Sequence, residues 1–272
     1  MKLENERLYL EADNKGAEVH HLIDKQTNIE YIWQRDPQYW ANCNPILFPV
    51  IGHSYNNEYL FGDQVTTMAN HGFLRYVPFA QMHPQENTIS YQFSADAQTL
   101  SQYPFDFTLQ VYYTLEADGY LVEYRIINKS EKTMPFNFGL HPAFRVPLME
   151  GQSFDDYSLT FTNKENQKGF GEFTRIPLSY DLFEQKHTLV FNNLNSIAIG
   201  ISDGSHGVWV STVGWPVVAV WTKQAGAPFV CLEPWLKRGE RVEELLPFEK
   251  RDAAILLPKG KQYSLSYRVR VY

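Results

Sequence analysis

Three segments of the 272-residue chain set a titratable side chain among glycine, proline and aromatic neighbours. They are Ala69-Asn70-His71-Gly72-Phe73-Leu74-Arg75, Phe138-Gly139-Leu140-His141-Pro142-Ala143-Phe144 and Phe229-Val230-Cys231-Leu232-Glu233-Pro234-Trp235. In each, the polar residue lies between residues of the kind that fill a core, and a buried acid or imidazole is costly unless paired or put to use. Glu233 follows an apolar run that reads as an interior strand, and it precedes Pro234, which is expected to end ladder pairing. A carboxylate at the end of a core strand has its pKa raised by desolvation and suits a general base. The alternative is an acid satisfied by an arginine or by backbone N–H groups. His141 precedes a proline, which favours extended geometry and projects the imidazole from a strand end or turn. It is either a hydrogen-bonded structural group or a proton donor poised near neutrality. His71 and Arg75 supply donors suited to hydroxyl groups, or else belong to an ordinary hydrogen-bonded loop.

These residues have to be positioned by strands, because the hydrophobic period is two almost throughout. Tyr112–Leu115 and Tyr120–Ile127 read as a hairpin across Ala117-Asp118-Gly119. Thr88–Phe93, Asn195–Ile201, Gly207–Val213 and Ser264–Tyr272 alternate in the same way, separated by Gly, Asp, Asn and Pro clusters. Helical periodicity is scarce; its best candidate is Glu240–Phe248, which Pro247 limits to a short turn or helix. Between 150 and 190 the pattern is less regular, and the polar run Asn163–Gly169 reads as an exposed loop. Short strands with frequent turns and no intervening helices predict one all-β domain over residues 1–272, a large antiparallel β-sandwich.

Charge and composition narrow the partners. The formal net charge of −7, without blocks of like charge, disfavours nucleic acid and an anionic membrane surface. No stretch approaches the roughly 20 apolar residues of a membrane span. The alternating start MKLENERLYL reads as a first strand, not an export signal, which predicts a cytoplasmic protein. Cys43 and Cys231 show no CxxC pattern and read as reduced structural residues, so no metal site is expected on them. Aromatic residues reach 15%, which suits a β core and also a site where the apolar face of a sugar meets a ring. Nucleotide-binding glycine loops and HExxH are absent from the sequence.

Taken in order, the three segments resemble the aldose 1-epimerase, or galactose mutarotase-like, family. The similarity begins at Asn44-Pro45-Ile46-Leu47-Phe48-Pro49-Val50-Ile51-Gly52 and continues with His71-Gly72-Phe73-Leu74-Arg75. It then runs through the His141-Pro142-Ala143-Phe144 block to Glu233-Pro234-Trp235, with the flavour of the bacterial lactose-operon mutarotase-like subgroup. The resemblance implies a β-supersandwich whose concave face holds a hexose. It implies Glu233 as base on the C1 hydroxyl, His141 as acid on the ring oxygen, His71 as a sugar contact, and no metal or organic cofactor. Acid and base are expected to stand on opposite sides of the ring.

Two positions depart from the family pattern. His53 stands after Gly52 where an arginine usually binds sugar, and a shorter imidazole cannot replace a guanidinium fork. Near Leu182–His187 an acidic residue is replaced by Lys186 and His187. His71, His53, Arg75 and Lys186 are therefore the expected substrate contacts around Glu233 and His141. The altered contacts leave two alternatives beside the epimerase: a carbohydrate-binding protein without turnover, and a sugar-phosphate 1-epimerase.

Overall fold

The computed structural model describes residues 1–83, 87–239 and 244–272. Strand makes up 48% and helix 9%, so the fold is all-β as the alternation predicts. Every paired strand is antiparallel to its neighbour. A nine-stranded sheet has Gly119–Asn128 and Phe107–Glu116 near its middle, and a six-stranded sheet is built around Phe229–Trp235. A four-stranded sheet from the N-terminal 30 residues completes the main layers.

The predicted hairpin forms: Phe107–Glu116 pairs with Gly119–Asn128, with Glu116 opposite Gly119, so the turn is Ala117-Asp118. Alternate residues of these strands point inward, where Val111 faces Tyr124 and Tyr113 faces Val122 across the pair. Their apolar bodies fill the core, and Tyr124 packs on Phe138, which directly precedes the Gly139–Leu140 strand of the six-stranded sheet, with centroids 5.1 Å apart. The buried phenols keep hydrogen bonds, Tyr113 donating to the Ala17 carbonyl at 2.7 Å and Tyr120 pairing with Tyr267 at 3.2 Å.

Two local readings change. Asn163–Gly169 is not a loop: Ser158–Gln167 is a strand that pairs with Gly171–Pro177 through a register shift between Thr160 and Glu165. Among the described residues two short α-helices occur, Ala97–Gln102 and Tyr180–Lys186. Asp96 caps the first by accepting from the Thr99 N–H at 2.8 Å, and Ser179 caps the second by accepting from Leu182 at 3.2 Å. Most of the Glu240–Phe248 segment's first half, residues 240–243, lies outside the described residues; beyond it a 3-10 turn runs over Phe248–Lys250. Among the described residues, no helix is long and apolar enough to cross a membrane.

Candidate active site

Glu233 sits inside the Phe229–Trp235 strand, buried on every residue, and not at its end. Pairing continues past it, with Val218 opposite Pro234 and Val217 opposite Trp235. Strand geometry explains how a proline is tolerated there. Successive N–H groups alternate sides, and on one side Leu232 donates to Pro142 O at 3.0 Å and Leu236 to Phe138 O at 2.9 Å. Residue 234 falls between them, opposite the break between the Gly139–Leu140 and Ala143–Arg145 strands, so its missing N–H costs no ladder bond. That break is where His141 stands, its own N–H held by Pro45 O at 3.1 Å. Ala219 lies directly across from Glu233, and its small side chain leaves the carboxylate room on the same face.

The two groups meet: His141 Nε2 is 3.3 Å from Glu233 Oε2. They stand side by side and not on opposite sides of a ring, which corrects the sequence-based expectation. Trp40 and Trp221 hold the imidazole, with centroids 4.8 and 5.4 Å away and Trp221 edge-on. Burial is the main cause of both pKa shifts, pushing Glu233 well up and His141 well down. The Trp235 indole and Arg75 oppose the Glu233 shift, while His71 and Arg75 reinforce that of His141. The indole Nε1 lies near the carboxylate but has no partner that meets hydrogen-bond geometry. Burial thus favours the neutral form of each group.

His71 reaches the pair because of Gly72. At φ +75°, a Cβ on Gly72 would lie 2.0 Å from Phe48 O, so only glycine permits this approach of the two backbone segments. His71 Nδ1 accepts the Gly52 N–H at 3.1 Å, which leaves the proton on Nε2 as a donor. Burial, then Arg75 and His53, lowers its pKa to about 3, so the ring is neutral at physiological pH. Arg75 is buried and donates Nη2 to Asn70 O, while its Nε and Asn70 Oδ1 have no partner among the described residues. Such unpaired buried polar atoms are rare away from functional surfaces.

All these groups line one cavity of about 440 Å³, within the roughly 300–1,000 Å³ of small-molecule sites. Glu233 and His141 are at its buried end; Trp40, Trp221 and Trp235 give aromatic walls, and exposed His53 and Lys223 lie at its mouth. The aldose 1-epimerase family model matches residues 1–269. The chain belongs to the aldose 1-epimerase family.

Its relatives agree with that membership. The chromosomal LacX protein of Lactococcus lactis subsp. lactis is 32% identical over 269 residues, covering 90% of each chain. A galactose mutarotase-like protein from Lactobacillus casei ATCC 334 superposes with a TM-score of 0.91 at 28% identity, covering 100% of this chain and 99% of its own. A putative aldose 1-epimerase from Escherichia coli K12 shares the fold, with a TM-score of 0.73 at 13% identity over 100% of this chain and 98% of that one.

Of the expected contacts in this family member, His71, His53 and Arg75 line the cavity beside Glu233 and His141. His53 is exposed, its Nδ1 3.0 Å from Asn57 Oδ1. Lys186 does not line it. Its ammonium lies 5.0 Å over the Phe170 ring, because the last turn of its helix faces the Ser158–Pro177 hairpin. Among the described residues, the cation at the cavity mouth is instead Lys223, which sequence patterning did not single out. Trp40, Trp221 and Asn70 were likewise not assigned; their one signal was the high aromatic content together with the Asn70-His71 adjacency. His141, Cys231 and Glu233 bring one ligand-type atom each within 4.8 Å. Burial and Glu233 push the Cys231 thiol well up, so this set would have to surrender protons in a desolvated pocket before it could bind a cation.

Proposed function

We propose that the protein is an aldose 1-epimerase that interconverts the α and β anomers of a free or modestly substituted hexose. The observation that supports this best is the His141–Glu233 contact of 3.3 Å at the closed end of a cavity wide enough for one sugar ring. Glu233, as carboxylate, takes the proton of the C1 hydroxyl. His141, as imidazolium, gives its proton to the ring oxygen. The bond from C1 to the ring oxygen breaks, leaving an open-chain aldehyde. Rotation about C1–C2 and the reverse proton transfers close the other anomer. The pair starts and ends with one proton, so turnover needs no proton from solvent. The charged arrangement and the neutral one favoured by burial differ only in the position of that proton.

His71, donating from Nε2, and Arg75 hold sugar hydroxyls, and the tryptophan faces pack on the apolar side of the ring. General acid and base contribute roughly 10²–10⁴-fold each in typical enzymes. The protein is proposed to work in the cytoplasm, since Cys43 and Cys231 are both free and buried, as suits a reducing compartment. Cell fractionation that recovers it outside the cytoplasm would remove that placement.

The test of the activity is anomer exchange, followed by polarimetry or NMR over a panel of aldoses. Acceleration that disappears in Glu233→Gln is the expected result. An unaccelerated rate with every aldose, or full activity in that variant, would sink the proposal and leave a sugar-binding protein.

A further inference from the structure

His141 stands at the break between the Gly139–Leu140 and Ala143–Arg145 strands, where two segments hold the chain from either side. On the far side Leu232 donates to Pro142 O at 3.0 Å. On the near side His141 donates its own N–H to Pro45 O at 3.1 Å, and Ala143 donates to Cys43 O at 2.7 Å. In an antiparallel ladder a pair of this kind normally returns a second bond. Residue 45 is a proline without an N–H, so the His141–Pro45 pair keeps one bond of two. How firmly residues 43–45 are fixed therefore governs where the His141 backbone lies.

Backbone groups alternate sides along an extended segment. With the Cys43 and Pro45 carbonyls turned toward Ala143 and His141, the Asn44 N–H faces the other way. There it meets Glu18, whose Oε2 accepts it at 3.3 Å. The same oxygen lies 3.4 Å from the Cys43 thiol, which is also 3.5 Å from Val19 O. Asn44 is 3% and Glu18 6% exposed, so solvent is no ready substitute for this acceptor.

Glu18 is itself anchored. Its carbonyl accepts the Asp13 N–H at 2.8 Å, and the preceding Ala17 carbonyl accepts the Tyr113 hydroxyl at 2.7 Å. A Cβ added to Gly16 would lie 3.2 Å from Glu18 Oε1 and 3.2 Å from Arg75 O, so the carboxyl and the Arg75 backbone flank the same glycine. Glu18 does not line the cavity and so does not touch a sugar bound there.

We propose that Glu18 is a positioning residue for proton transfer at His141, acting through Asn44 and Pro45 to set the place of the imidazole beside Glu233. Both of its contacts end on one oxygen, so the role requires an acceptor at that point, which a carboxylate, a protonated carboxyl or a carboxamide supplies. The kinetic effect rests on the epimerase reading; the geometric one does not.

Three substitutions test this. Glu18→Leu removes the acceptor at similar volume, Glu18→Asp draws it back by one carbon, and Glu18→Gln keeps it. Anomer exchange is measured well below the unfolding midpoint of each variant, with the aldose that wild type turns over best. The Leu and Asp variants are expected to lose about tenfold or more in kcat with KM within about twofold, because displacing the acid costs rate and not ground-state binding. The Gln variant is expected to stay within about threefold of wild type. Glu165→Gln, which also loses a buried acceptor, reports the effect of lost stability alone and is expected to keep kcat within about twofold. Wild-type kcat in a folded Leu or Asp variant overturns the proposal, as does a Gln variant as slow as these, or a rise in KM that matches the fall in kcat.

A second readout needs no turnover. The ring signals of His141 in protein carrying isotope-labelled histidine, assigned by their loss in His141→Gln, are expected to move in Glu18→Asp and to return in Glu18→Gln, while those of His206 stay. Unmoved His141 signals overturn the positioning role even where kcat falls. Moved signals in a protein that exchanges no aldose keep that role and remove only the epimerase reading.

Discussion

Glu165 and Glu233 are both buried glutamates on strands, yet they sit in opposite surroundings. Glu165, 1% exposed, lies in the hairpin at the edge of the nine-stranded sheet, and its two oxygens accept the N–H groups of Asn195 at 3.1 Å and Ser196 at 2.7 Å. It ties a loop to a strand, the structural fate open to any buried acid. Glu233, 2% exposed, accepts no backbone N–H among the described residues and faces an imidazole, an indole edge and a cavity. A carboxylate surrounded by donors is spent on structure, whereas one desolvated beside a single proton carrier keeps its basicity for a substrate. The difference lies in the hydrogen-bond partners and not in the degree of burial.

Exchanging amide for acid at both positions is the strongest way to break this contrast. Glu233→Gln is expected to lower anomer exchange by about 10²–10⁴-fold without loss of stability, read by NMR and urea unfolding. Glu165→Gln should leave exchange within about twofold and cost about 1–3 kcal/mol, because the amide nitrogen cannot accept its N–H. The reverse pattern would invert the assignment.

Removing the other half of the pair comes next. His141→Gln is expected to reduce kcat by about 10²-fold, with a smaller change in KM. Wild-type kcat should show a bell in pH whose limbs belong to the pair: an acid limb below the ordinary histidine range, where the pair takes up a second proton, and an alkaline limb above the ordinary glutamate range, where it loses its only one. A rate that is flat from acid to mildly alkaline pH would exclude this pair as the titrating groups.

Stability sharpens the same comparison by sign. The folded protein holds the Glu233 proton more tightly than the unfolded chain, so stability is lost as pH rises from 4.5 through the raised value, and Glu233→Gln should become relatively more stable over that window. His71 behaves oppositely. Its folded value of about 3 lies below 6.5, so stability is lost as pH falls between those two values, and His71→Gln should flatten that slope in unfolding midpoints.

The smallest effects are expected at the cavity mouth. Lys223→Ala should raise KM several-fold, by roughly the 0.5–1.5 kcal/mol of a typical hydrogen bond, whereas Lys186→Ala should leave kcat and KM unchanged in steady-state assays. Equal effects at the two lysines would contradict their different placement.

Much of this was legible in the residues themselves. The hairpin at Ala117-Asp118 and the strands around it follow from alternation, because one face of each is buried and the period of two is a local property. Ser158–Gln167 escaped because its outer half pairs only with the exposed Gly171–Pro177 strand, so polar side chains occupy both faces and Glu165 alone turns in. The capped helices were too short, at six and seven residues, to show a helical period. Sequence determined the residue types in the three motifs and hence the chemistry open to them. Only the tertiary structure decided that His141 and Glu233 touch, that Trp40 and Trp221 hold the imidazole, and that Lys223 rather than Lys186 reaches the cavity. Those outcomes depend on register between strands far apart in the chain, where a shift of one residue turns every side chain to the opposite face.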